Sequence, residues 1–107
     1  MKKNSIKVFV KNPGQAPHME IISNTLESLQ RIVGGYIETV TLSSNLVIIV
    51  NEEGAINGMP FNCTYCGAHL YGPIIWAGIS RDEFSDVPFT TEGFKRVNSN
   101  LYEEAAR

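Results

Sequence analysis

The sequence predicts an α+β fold, in which an antiparallel-rich mixed sheet of about five strands packs against two helices. Two observations lead to it: strand-like apolar segments are separated by short turn sequences, and two other segments carry apolar residues at helical spacing. In chain order these elements read ββαβββα, which favours hairpins over parallel crossovers. The 107 residues contain no repeat, low-complexity tract or linker, so we expect a single domain over residues 1–107.

The first two elements are predicted to form a β-hairpin. From Ile6 to Lys11, aliphatic residues occupy every second position, which is the period of a half-buried strand. Asn12-Pro13-Gly14 has the composition of a turn, because proline fixes φ near the required value and glycine accepts a positive φ. Residues 17–22 then supply the returning strand.

The third element is predicted to be a helix. Asn24 is expected to be its N-cap, with Glu27 three residues later completing a capping box. Gly34-Gly35 is expected to end the helix, because glycine adopts the left-handed conformation without a steric penalty. Three apolar residues lie at the spacing of one helical face: Leu26, Leu29 and Val33.

Two strands and a long irregular connection are predicted in the middle of the chain. Residues 36–42 are rich in β-branched and aromatic residues, as strands are. After a short polar turn, the unbroken apolar run Leu46–Val50 indicates a strand that is buried on both faces. From Ala55 to Tyr71 no period is recognisable, which predicts irregular chain. Long irregular segments inside domains are more often functional than incidental.

A last strand and a last helix follow. Residues 72–79 have strand composition, and we expect Trp76 to lie in the core. Residues 81–88 are predicted to be a polar loop. Thr91 is expected to cap the final helix. Its apolar residues again have helical spacing: Phe94, Val97 and Leu101.

Composition and charge argue against several functional classes. Nine Lys and Arg against eleven Asp and Glu give a formal net charge of −2, and the basic residues are dispersed. Nucleic-acid binding usually needs a concentrated basic face, so we expect no nucleic-acid partner. The longest apolar run is far shorter than the roughly 20 residues that cross a bilayer, and a long apolar segment does not follow Lys2-Lys3. We therefore expect a soluble cytoplasmic protein without a membrane partner.

One short segment could supply metal ligands. Cys63 and Cys66 form a Cys-x-x-Cys pattern, and His69 follows three residues later. A structural zinc site usually has four ligands, and the other histidine, His18, is distant in sequence. We expect no metal and no cofactor, with a zinc-stabilised module on these three residues as the alternative.

No catalytic constellation is recognisable. The serines lack a nucleophile elbow, and the paired carboxylates Glu52-Glu53 and Asp82-Glu83 are neighbours in turn-like sequence. The Gly34-Gly35 pair follows a helix, which is the wrong order for a phosphate-binding loop. We therefore expect a protein that binds and does not catalyse.

Aromatic residues near loop glycines are the first binding candidates. They are Phe61, Tyr65 and Tyr71, the last beside Gly72-Pro73. Aromatic side chains suit a binding surface, because they offer a large contact area at a low cost in conformational entropy. For Trp76 the core is the expected location.

Several segments, in this order and spacing, carry a family resemblance. They are Val8–Gly14, Asn24–Gln30, Val33–Glu38, Val50–Gly54, Gly58–Asn62 and Tyr71–Gly78. Together they resemble the small phage and mobile-element proteins of domain-of-unknown-function family 3846, over about residues 6–103. The resemblance implies no enzyme activity.

The resemblance also implies which positions recur in the family. They are Gly34, Gly35, Tyr36, Glu38, Asn51, Glu52, Gly54, Pro60, Asn62, Gly72 and Gly78. Six of them complete the set of binding candidates: Tyr36, Glu38, Asn51, Glu52, Asn62 and Gly72. Many members have a polar, often acidic segment in place of Cys63–His69, which argues against a family-wide role for the cysteines.

Three functional hypotheses follow from this context in a bacterial host. The first is a counter-defence inhibitor that blocks a bacterial immune effector, for example a CRISPR-associated nuclease, by stoichiometric binding. The second is a sponge that sequesters a nucleotide immune signal, with a homo-oligomer interface as one place for the site. Its candidate residues are Tyr36, Asn51, Asn62, Arg31 and Arg81. The third is the zinc-stabilised interaction module.

Overall fold

The computed structural model describes residues 3–106 and has eight strands and three helices in that range. The strands are β1 (Ser5–Lys11), β2 (His18–Ser23), β3 (Ile37–Ser43), β4 (Leu46–Asn51), β5 (Phe61–Tyr65), β6 (Ala68–Tyr71), β7 (Ile74–Ser80) and β8 (Glu83–Ser85). The helices are α1 (Leu26–Val33), α2 (Thr91–Val97) and α3 (Ser99–Ala105). No helix within this range is both long and apolar enough to cross a membrane.

The main sheet has the strand order β2-β1-β7-β4-β3, and the short strand β8 also pairs with β7. Strands β5 and β6 form a separate two-stranded sheet. The predicted α+β class is confirmed. The predicted mixed sheet is antiparallel in every pairing of the described strands, because neighbours are joined by hairpins or by connections that reverse direction.

Helices cover the main sheet on both faces. On one face, alternate residues of β1 pack with Leu29 and Val33 of α1. On the other face, Phe9 and Trp76 pack with Phe94 of α2, whose ring stacks on that of Phe9 with 4.0 Å between centroids. The core position predicted for Trp76 is confirmed, as is the burial of β4 on both faces. Strand β1, predicted to be half-buried, is buried on both faces because α2 covers its second face.

The first helix begins one residue later than predicted. Thr25 is the N-cap, and its hydroxyl oxygen accepts a hydrogen bond from the Ser28 backbone N–H at 3.2 Å. Asn24 is buried instead, where its Nδ2 donates to the carbonyl oxygens of Lys3 and Phe84. The capping box predicted at Asn24 is therefore wrong. Gly34 ends the helix in the left-handed conformation, as predicted.

The single C-terminal helix predicted from the sequence is two short helices. Thr90, one residue before the predicted cap, accepts a hydrogen bond from the Gly93 backbone N–H. Asn98 ends α2, because its side chain donates to the Phe94 carbonyl oxygen and accepts from the Tyr65 hydroxyl. Because the helix is interrupted at Asn98, the three predicted apolar residues do not share one buried face. Val97 is 65% exposed, whereas Phe94 and Leu101 are buried.

The segment predicted to be irregular contains a hairpin. Residues 52–60 are turns and loop, as expected, but β5 and β6 pair across a two-residue turn. Both turn residues, Cys66 and Gly67, have positive φ, as a type I′ turn requires. A register shift between Phe61 and Cys63 interrupts the alternation that would have predicted β5. The predicted polar loop 81–88 likewise includes β8.

Candidate functional site

Two buried asparagines hold the segment that follows β4. The first is Asn51, whose Nδ2 donates to the Val33 carbonyl oxygen at 3.1 Å. Its Oδ1 accepts from the Glu53 backbone N–H at 2.8 Å. One amide side chain thus satisfies a carbonyl at the end of α1 and fixes the turn after β4. A buried polar group with both ends bonded stabilises a single conformation of these two elements.

The second buried asparagine, Asn62, joins three parts of the chain. Its Nδ2 donates to the carbonyl oxygens of Lys11 and Gly72, each at 2.8 Å. Its Oδ1 accepts from the Lys11 ammonium at 2.6 Å. These bonds tie β5 to the end of β1 and to the start of β7. The β5–β6 sheet is therefore fixed on the main sheet by polar contacts as well as by its apolar side chains.

Gly72 has a left-handed backbone conformation that favours glycine. Its φ is +78°, and a Cβ atom there would lie 2.9 Å from the Met59 sulfur. Gly72 also donates its backbone N–H to the Pro60 carbonyl oxygen at 2.8 Å. Asn51, Asn62 and Gly72, all candidates from the sequence, are thus buried and hold the shape of this region.

Four other candidates lie on one continuous surface. A shallow cavity of about 130 Å³ is lined by Glu38 of β3, by Glu52 in the turn after β4, and by His69 and Tyr71 of β6. The Phe61 ring continues the surface, with its centroid 5.6 Å from that of Tyr71 and 6.2 Å from that of His69. Phe61 is half exposed. We call these five residues the acidic-aromatic surface.

Two further tyrosine candidates differ in their surroundings. Tyr36 is 70% exposed, and its carbonyl oxygen accepts from the Glu52 backbone N–H, so its backbone adjoins the acidic-aromatic surface. Tyr65 packs edge-on against Trp76, with 5.4 Å between ring centroids, and its hydroxyl donates to Asn98 at 2.7 Å. Burial raises the pKa of Tyr65 above its ordinary value. Tyr65 therefore belongs to the core beneath the β5–β6 sheet.

The structure does not bring the three candidate metal ligands together. Cys63 is buried in the apolar core, and this burial raises its thiol pKa, which disfavours the thiolate that a metal needs. Cys66 is exposed at the hairpin turn. His69 lies on the outer face, with Nδ1 2.8 Å from the Thr64 hydroxyl oxygen. Within residues 3–106, no three Cys, His, Asp or Glu side chains are placed to hold a metal ion.

The nucleotide-binding candidates are also dispersed. Arg31 lies in the last turn of α1, and Arg81 lies in the turn between β7 and β8. Asn51 and Asn62 are buried and engaged with backbone groups. A phosphate-bearing ligand would need such groups to converge on one pocket.

Two residues of this region are not among the binding candidates predicted from the sequence. His69, a candidate metal ligand, lines the cavity of the acidic-aromatic surface, and its ring centroid is 6.2 Å from that of Phe61. Its position two residues before Tyr71 on one strand would have placed both on the same face, had β6 been recognised. The alternating pattern of β1 predicts Lys11 in a half-buried strand and does not indicate that its ammonium donates a hydrogen bond to Asn62 Oδ1.

The family model described as domain of unknown function (DUF3846) matches residues 6–97, which is most of the chain. The chain belongs to this family. The match confirms the resemblance seen in the sequence, and it includes the acidic-aromatic surface and both buried asparagines. It ends at the last residue of α2. Comparisons with curated proteins and with solved structures found no match.

Proposed function

We propose that this protein acts by stoichiometric binding to another protein through the acidic-aromatic surface, and that it catalyses no reaction. The observation that carries the proposal is the grouping of partly exposed aromatic rings with two carboxylates on one surface. Aromatic anchors beside polar groups are typical of protein interfaces. The bonds of Asn51 and Asn62 hold the underlying chain in place, which lowers the entropy lost on binding.

The dimensions of the surface favour a protein over a small molecule. Its cavity of about 130 Å³ is smaller than the roughly 300–1,000 Å³ usual for small-molecule sites. The carboxylates of Glu38 and Glu52 would repel the phosphates of a nucleotide. These properties support protein binding over the nucleotide sponge.

The partner that we propose is a bacterial immune effector, for example a CRISPR-associated nuclease. The family resemblance suggested this class, and the charge of the surface supports it. Nucleases that hold nucleic acid do so in positively charged channels, which two glutamates and their neighbouring rings would complement. Occupying such a channel would block the effector without any chemistry.

A cell-based assay with matched variants tests the proposal. Cells that carry an active nuclease-based defence system would express the protein and receive a targeted plasmid. We expect the wild type to restore transformation and to co-purify with the effector. The double variant Glu38→Lys, Phe61→Ser should lose both effects, because both side chains are exposed on the surface.

The control variant is Leu26→Ser, which changes an exposed apolar residue on α1, on the opposite face of the main sheet. It should behave like the wild type. Protection by the double variant equal to that of the wild type would overturn the proposal. A thermal shift with cyclic nucleotides would also contradict it, since a ligand at 100 times its Kd stabilises by about 2.7 kcal/mol.

A further inference from the structure

Strand β3 is an open edge of the main sheet. It is the last strand in the order, and Glu38, Thr39, Val40 and Thr41 are all exposed. Natural proteins usually protect such edges with lysine, proline or a central bulge. The β3 sequence has neither of those residues, and its register shift lies near its end, between Thr41 and Ser43. Its central residues are regular, β-branched and uncharged.

The outward hydrogen-bonding groups of β3 can be assigned from its pairing with β4. The Glu52 backbone N–H donates to the Tyr36 carbonyl oxygen at 2.9 Å. In an antiparallel ladder, residues that bond to the neighbouring strand alternate with residues whose N–H and C=O point away. Glu38 and Val40, at two-residue steps from Tyr36, therefore bond to β4. Thr39 and Thr41 present their backbone groups to the open edge.

We infer that a second copy of this chain pairs with β3 in antiparallel orientation, with Val40 on the two-fold axis. This register overlaps the whole of Ile37–Ser43 with its copy. It sets Thr39 opposite Thr41 of the second copy, so that outward groups meet outward groups. Any register shifted by a single residue would set outward groups against inward ones. The full overlap therefore agrees with the hydrogen-bonding pattern.

The side chains favour a second copy over an unrelated strand. Thr39-Val40-Thr41 reads the same in both directions, so each threonine faces a threonine and Val40 faces its own equivalent. The one charged residue of β3, Glu38, faces Leu42 of the second copy. Four residues of strand separate the two Glu38 side chains by about 14 Å, which is more than the Debye length of roughly 8 Å at physiological salt.

The pairing has a consequence for the acidic-aromatic surface. The two-fold axis through Val40 is perpendicular to the sheet, so equivalent faces of both copies lie on the same side. Glu38 and Val40 share one face of β3 because they are two residues apart. The dimer would present its two acidic-aromatic surfaces side by side, which allows bivalent binding. The pairing itself does not depend on the partner proposed above.

Disulfide cross-linking tests the register. The test variants carry Cys66→Ser, which removes the exposed thiol, and either Val40→Cys or Thr41→Cys. In a non-hydrogen-bonded antiparallel pair the Cα atoms are about 4.5 Å apart, which a disulfide can span. We expect Val40→Cys to form a covalent dimer on mild oxidation, at twice the 11.9 kDa chain mass on a non-reducing gel. In the Thr41→Cys variant the introduced thiol faces Thr39 of the second copy. No covalent dimer should form, and the chain should migrate as a monomer on the same gel.

Sedimentation of the uncross-linked protein gives a second measurement. The wild type should sediment as a dimer and Val40→Lys as a folded monomer, because two ammonium groups would meet on the axis. The control is Ile21→Lys, at an exposed apolar position on the opposite edge strand β2, and it should remain dimeric. A monomeric wild type, a dimeric Val40→Lys, dissociation by Ile21→Lys, or equal cross-linking of both cysteine variants would overturn the inference.

Discussion

The Lys11 ammonium lies 2.6 Å from Asn62 Oδ1 at a site where both side chains are more than nine-tenths buried. Asn62 also donates its Nδ2 to the Lys11 carbonyl oxygen. One side chain therefore bonds to both ends of the same residue. This pair joins the end of β1 to the β5–β6 sheet, and with it fixes one side of the acidic-aromatic surface.

Asn62→Ala should lower the free energy of unfolding by about 3 kcal/mol, since it leaves a buried ammonium and two carbonyl oxygens without this partner. Urea unfolding measures the change. The control is Asn12→Ala, because Asn12 Nδ2 makes only an exposed contact of 3.5 Å with Gln15. It should change stability by less than about 0.5 kcal/mol. Equal effects of the two substitutions would show that Asn62 does not hold the segment.

Gly78→Ala should destabilise the protein by about 3 kcal/mol or more, because the added methyl group forces the backbone apart. A Cβ atom at this position would lie 2.0 Å from the Asp86 carbonyl oxygen. The comparison is Gly14→Ala, where φ is +78° but nothing lies within 4 Å of the added Cβ atom. That change should cost only about 1 kcal/mol of conformational strain. Thermal unfolding of both variants distinguishes close packing from backbone conformation.

Cys66→Asn should stabilise the protein by about 0.5 kcal/mol, because asparagine tolerates the left-handed conformation of a type I′ turn better than most residues. The φ of Cys66 is 50°, and its side chain is exposed. Cys63→Ser should instead destabilise, since it places a hydroxyl in the apolar core. If Cys66→Asn lowers the melting temperature, the assigned turn is incorrect.

The carboxylate of Asp86 gives a pH-dependent contribution. The Lys3 ammonium bonds to it and the Lys7 backbone N–H donates to it, and these contacts lower its pKa below the ordinary 3.8. A lowered folded-state pKa stabilises the fold above the unfolded-state value, and the stabilisation is lost as the pH falls through the folded-state value. Asp86→Asn should therefore be less stable than wild type at neutral pH, with the difference vanishing in acid. A constant difference in unfolding free energy would contradict this assignment.

Much of the main sheet could be predicted from local patterns, and its second layer could not. The alternation in β1 identified a strand, but a single strand does not reveal that a distant helix covers Phe9. Asn24 and Thr25 are both good N-cap residues, and the choice depends on the carbonyl oxygens of Lys3 and Phe84, which only folding brings near. The β5–β6 hairpin could not be predicted from the sequence, because its register shift breaks the alternation and its turn is Cys-Gly.

The residues of the candidate site could be identified from the sequence, but their proximity in the fold could not. Glu38, Glu52, Phe61 and Tyr71 were candidates from the sequence, and the β5–β6 sheet brings them together. Asn51 is also a binding candidate from the sequence, yet it is buried and bonded to backbone groups. Burial therefore separates residues that hold the surface from those that form it.

The most direct test is to titrate the nuclease activity of the captured effector against increasing amounts of this protein. If the protein is a stoichiometric inhibitor, the nuclease activity should fall linearly with added protein and reach zero at one chain per effector site. Longer incubation should not change the result. The Glu38→Lys, Phe61→Ser variant should leave the activity intact at the same ratio. Complete inactivation by a small fraction of an equivalent, increasing with time, would mean that the protein turns over and would contradict the account.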